Sequence, residues 1–74
     1  MFEDLRQILV EELRIPEALI SPSATTFEVG LDSLSVVMLS TAIRQRTGVR
    51  LEPLDLFGME RLEDIAQTME ENVR

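Results

Sequence analysis

Few residues in this 74-residue chain can do chemistry, because histidine, cysteine and lysine are all absent. Ser-His, Cys-His and Ser-Lys nucleophile arrangements are therefore excluded, as are histidine and thiolate metal sites. What remains is hydroxyls and carboxylates, and one serine stands out by its setting. Gly30-Leu31-Asp32-Ser33-Leu34 reads as a glycine-led turn that opens a helix. Asp32 is placed to cap the free N–H groups of the first turn, which makes Ser33 the first helical residue with its hydroxyl facing water. Leu31 and Val36 have the spacing of a hydrophobic staple that fixes the angle of entry. Nothing in the sequence activates Ser33 as a nucleophile, so no catalytic residue and no metal ligand is assigned.

The elements that must position this serine follow from apolar spacing. Phe2, Leu5, Ile8, Leu9 and Leu13 recur at helical intervals and predict a first amphipathic helix from Phe2 to about Arg14, stopped by Pro16. Glu11 and Glu12 sit poorly at its negative end, and Arg14 offsets them only in part. Residues 16–31 form a long connection rich in apolar side chains: Leu19, Ile20, Phe27, Val29 and Leu31. That content predicts an ordered loop pinned to the core, with one helical turn near Thr26 to Val29 ended by Gly30 at positive φ. The second helix is expected over Ser33 to Thr47, closed by Gly48, with Arg44 and Arg46 near its negative end. It carries two apolar rows. Val36, Leu39 and Ile43, with Ala42 at the edge, form a core face, whereas Leu34, Val37, Met38 and Thr41 form a second row on roughly the opposite side. In so small a chain the second row reads as a partner-docking surface, with ordinary core packing as the alternative. Val49 to Pro53 reads as an extended connector and Leu54 to Phe57 as one short helical turn before Gly58. The last helix, about Glu60 to Asn72, has its stripe at Leu62, Ile65, Ala66, Met69 and Val73, and a Glu70–Arg74 pair at i, i+4.

Bulk properties bound the partners. The length predicts one domain over residues 1–74, and the absence of cysteine suits a reducing compartment. Fourteen acids against seven bases give a net charge of −7, which repels phosphate backbones and argues against nucleic acid. No apolar run approaches the roughly 20 residues of a membrane span. With Met1-Phe2-Glu3-Asp4 too acidic for a signal peptide, the expectation is a cytoplasmic monomer with no membrane partner.

The Gly-x-Asp-Ser-Leu stretch resembles the attachment motif of acyl carrier proteins. The layout around it is similar over essentially the whole chain: three amphipathic helices plus one short helix, with a long loop before the serine. The resemblance implies an all-α fold, a small antiparallel bundle of this kind. It also implies a non-enzymatic carrier whose Ser33 receives 4′-phosphopantetheine from coenzyme A through a phosphopantetheinyl transferase. Asp32 and Leu34 would belong to that transferase's recognition site. The arm would carry acyl thioesters to acyl-loading and to condensing or tailoring enzymes of polyketide, fatty acid or related biosynthesis. Val36, Leu39, Phe57 and Met59 are the candidate lining of an acyl pocket.

One departure bears on the pathway. Carriers of fatty acid synthesis commonly bear acids early in the second helix, but residues 33–47 contain none here and Ser35 and Met38 take those positions. This suits an apolar docking mode and a polyketide or other specialised pathway. Two rival readings are a peptidyl or aryl carrier of nonribosomal peptide synthesis and an unmodified helical interaction module. The first more often shows Gly-Gly-x-Ser, where this chain has Leu31 in place of the second glycine. The second would use the outer row of the second helix as a groove-filling surface.

Overall fold

The computed structural model describes residues 2–72. It contains α1 (Phe2–Glu11), a 3₁₀ turn (Glu17–Leu19), α2 (Ser33–Thr47), α3 (Pro53–Phe57) and α4 (Leu62–Glu71). This is the all-α bundle of three main helices and one short one that the spacing predicts. α1 packs on α2 and on α4, and α3 packs on α2. The core takes one face of each helix: Leu5, Ile8 and Leu9 from α1, Val36, Leu39 and Ile43 from α2, and Leu62, Ile65 and Met69 from α4. Leu56 adds the contribution of α3. Each such side chain contributes about 1.5–3 kcal/mol by leaving water, and no polar or charged side chain is buried among the described residues. None of the described helices is long and apolar enough to cross a membrane.

Two helix boundaries differ from the sequence expectation by two residues or more, and α3 starts one residue early, at Pro53. α1 ends at Glu11 instead of Arg14, because Arg14 takes a left-handed conformation (φ 59°) and the Ile15 N–H turns back to donate to the Leu9 carbonyl at 3.1 Å. The chain therefore turns before Pro16 can act. Glu11 and Glu12 at this end are met by Arg46 of α2, whose guanidinium donates to both carboxylates at 2.6 and 2.9 Å. α4 begins at Leu62 instead of Glu60, because the residues before it are engaged with the long loop. The Thr26 N–H donates to the Glu60 carbonyl, the Leu62 N–H to Ala24, and the Glu63 N–H to Pro22. Thr25 and Arg61 thereby form an isolated antiparallel bridge, and Arg61 Nη1 donates to the Ser23 carbonyl at 2.6 Å. The expectations for Val73 and for a Glu70–Arg74 pair lie outside the described residues.

The long loop is ordered as predicted, but fewer of its apolar residues reach the core. Ile20 and Val29 are buried and Leu31 packs against the core, whereas Leu19 is half exposed and Phe27 is 90% exposed. The loop is held largely by backbone hydrogen bonds, among them that of the Gly30 N–H to the Phe27 carbonyl at 3.0 Å, while the Phe27 ring is left in solvent.

Candidate functional site

The turn before Ser33 is built from two capped segments in series. In the first, the Thr25 N–H donates to Glu28 Oε1 at 2.8 Å and the Glu28 N–H donates to Thr25 Oγ1 at 3.0 Å. This reciprocal pair is a capping box, and the Thr-x-x-Glu spacing at 25–28 is its sequence signal. Gly30 ends that turn at φ 79°, a conformation strained for any residue with a Cβ, and across it the Leu31 N–H donates to the Thr26 carbonyl at 3.0 Å. In the second segment Asp32 is extended (φ −95°, ψ −174°), so its carboxylate swings over the start of α2 and accepts from the Ser35 N–H at 2.9 Å. Its carbonyl takes the first helical hydrogen bond from Val36. Ser33 is left as the first residue of α2, exposed to solvent.

The electrostatics follow from these hydrogen bonds. The Ser35 amide holds the Asp32 carboxyl below its ordinary value, and the Thr25 amide does the same for Glu28. Both therefore stay ionised well into mild acid. Their carboxylates accept from the Ser35 and Thr25 amides, and neither is hydrogen-bonded to the Ser33 hydroxyl among the described residues.

The other predicted residues divide by burial. Leu34 is 69% exposed, and Val37, Met38 and Thr41 are also exposed, so the second row of α2 stays outside the core. A cleft of about 260 Å³ runs beside it, lined by Val37, Met38, Thr41 and Ala42 with Glu12 and Gln45 at its edges. Val36 and Leu39 are buried, Met59 is partly buried against the core, and Phe57 is 52% exposed. Three large side chains that the spacing does not single out also face water: Phe27, Leu54 at 82% exposure, and the half-exposed Leu19. A single short turn has no period from which to read its outward face, which is why Phe27 was not distinguishable from Val29.

The family described as "Phosphopantetheine attachment site" matches residues 3–69. The chain belongs to this family. Its curated relatives include an "Acyl carrier protein" of Saccharopolyspora erythraea, 39% identical over 61 residues, which cover 81% of this chain and 64% of that one. An "Acyl carrier protein" of Helicobacter pylori (strain G27) is 29% identical over 73 residues, covering 97% of this chain and 94% of the relative. "Nonribosomal peptide synthetase ecdA" of Aspergillus rugulosus is 35% identical over 71 residues, 95% of this chain but 1% of the synthetase. The chain thus spans less than two thirds of the first of these relatives and a small part of the third. Together they place it among the phosphopantetheine-bearing carriers of the acyl carrier protein family.

Proposed function

We propose that this chain works as an acyl carrier protein, with Ser33 as the attachment point. Its hydroxyl oxygen would bear 4′-phosphopantetheine through a phosphodiester, and the terminal thiol of the arm holds acyl groups as thioesters. The observation that carries this reading is the placement of Ser33: exposed, first in α2, and directly after a cap that engages the Ser35 amide. The residues fit such a group, because a phosphodiester there faces the positive end of a 15-residue helix. Asp32 and Leu34 flank the attachment point and serve transferase recognition in this reading. Ser33 is the substrate of the modifying enzyme, and the chain itself catalyses nothing.

The exposed row Leu34, Val37, Met38 and Thr41 is the docking surface in this proposal, read by acyl-loading, condensing and tailoring enzymes. Glutamate at Val37 or Met38 is expected to lower partner turnover while leaving the fold intact. Unchanged turnover would remove the row from the account. Val36, Leu39, Met59 and Phe57 lie along the α2–α3 side as the lining that a growing acyl chain could open. We place the chain in the cytoplasm as a monomer, and the acid-free second helix supports polyketide or another specialised pathway.

The similarity to nonribosomal synthetases over 95% of the chain favours a second reading, a peptidyl carrier. Both readings use the same arm, so they separate at loading. An acyl carrier accepts its cargo from an acyltransferase, whereas a peptidyl carrier takes an amino acid from an adenylating enzyme. Incubation with coenzyme A and a broad-specificity transferase, followed by intact mass, tests what the two share.

A further inference from the structure

Resting on Ser33 as the attachment point, we infer that the far end of α2 holds a binding site, built on Arg44 and Arg50, for acyl groups that themselves end in a carboxylate. An α-helix turns about 100° per residue, so Ser33, Val37, Ser40 and Arg44, at i, i+4, i+7 and i+11, form one straight stripe along α2. Arg44 lies about three turns, roughly 16 Å, from Ser33 along that stripe. There a cleft of about 290 Å³ is lined by Ser40, Thr41, Arg44 and Gln45 on α2 and by residues 50–52 of the connector. Ser40 Oγ donates to the Leu51 carbonyl at 2.5 Å, which holds the connector against the helix. That hydrogen bond ties the two walls of the cleft together.

Its charge runs against that of the molecule. Arg6, Arg46 and Arg61 all lie beside carboxylates, whereas Arg14, Arg44 and Arg50 have no ion pair among the described residues, and the last two of these share the cleft. No acid occurs in α2, and Glu52 is the single acid lining the cleft, which leaves it with one net positive charge. At the other end of the stripe, Asp32 and Glu28 are held ionised by their hydrogen bonds. An anionic acyl end is thus repelled at the turn and attracted three turns away. The phosphopantetheine arm is as long as four to five extended residues, about 15 Å, so a short dicarboxylic acyl group on its thiol reaches the cleft. Both arginines line this cleft, and a guanidinium fork can pair with a carboxylate bidentately. An uncharged acyl end finds no such partner.

The test loads the apo protein, through a broad-specificity transferase, with the arm from malonyl-CoA or from isovaleryl-CoA, whose acyl group has nearly the same shape without the charge. Intact mass confirms each load, and ¹⁵N NMR then reads the arginine Nε–H and backbone resonances. The malonyl arm is expected to move Arg44 and Arg50 Nε–H and the amides of Thr41 and Leu51, and the isovaleryl arm to leave them in place. High salt shrinks the malonyl effect, and the Arg44→Gln/Arg50→Gln double variant abolishes the amide shifts. Equal responses to both arms, or no response to malonyl, overturn the site. A chain that gains no mass at all overturns the attachment reading, and this inference with it.

Discussion

Two kinds of residue set the local energetics, those with special backbone angles and those with captured carboxylates. Arg14 is the only non-glycine with positive φ among the described residues, and a left-handed residue with a Cβ costs about 1–2 kcal/mol. Arg14→Gly removes that cost but adds about 0.5–1 kcal/mol of chain entropy to be lost on folding. The expected net is a gain of several tenths to about 1 kcal/mol, a melting temperature higher by a few degrees. A lower melting temperature would mean that the arginine side chain stabilises the turn by more than the strain. The captured carboxylates give a pH signature. The folded-state pKa of Asp32 and of Glu28 lies below its ordinary value, so their contribution is complete above the unfolded carboxylate range and is lost as pH falls through the lowered values. Asp32→Asn keeps a cap acceptor but does not titrate. Its stability, from urea midpoints at a series of pH values, should therefore fall less steeply on the acid side than that of the wild type.

At the scale of elements, the segment leading into α2 is stabilised twice, by its own caps and by its pairing with the approach to α4. Thr25 serves both, as the capping partner of Glu28 and as the bridge partner of Arg61. Thr25→Ala should cost about 1 kcal/mol, and hydrogen exchange should quicken first at the Glu28, Gly30 and Leu31 amides. Protection unchanged at these amides would show that the backbone pairing suffices alone. α2 was legible from end to end, because Asp32-Ser33 and Gly48 carry the cap chemistry of both its termini. The early end of α1 was hidden because a left-handed arginine leaves no compositional mark. The late start of α4 was hidden because Glu60 and Arg61 are claimed by residues 24–26, a tertiary pairing that helical periodicity cannot contain. The same holds for Glu11 and Glu12, whose partner Arg46 is more than thirty residues away. Around the candidate site, the exposure of Leu34, Val37 and Met38 followed from helical phase, whereas that of Phe27 and Leu54 had no phase to follow.

Across the whole molecule, the negative charge is unevenly placed. The chain is strongly acidic, yet the outer face of α2 is apolar near Ser33 and basic towards Arg44. Docking through that face should depend on apolar burial more than on attraction at a distance, and salt screens the second far more than the first. Partner turnover is therefore expected to change little between low and moderate ionic strength, and a steep fall in a stopped-flow or turnover series would contradict an apolar docking mode. The carrier function depends on one covalent event at one oxygen. The most direct measurement is intact mass of the chain after incubation with coenzyme A, Mg²⁺ and a broad-specificity phosphopantetheinyl transferase. Wild type is expected to gain the mass of one phosphopantetheine and Ser33→Ala to gain none. No gain on wild type, or the same gain on Ser33→Ala, would contradict the assignment of Ser33 as the attachment point.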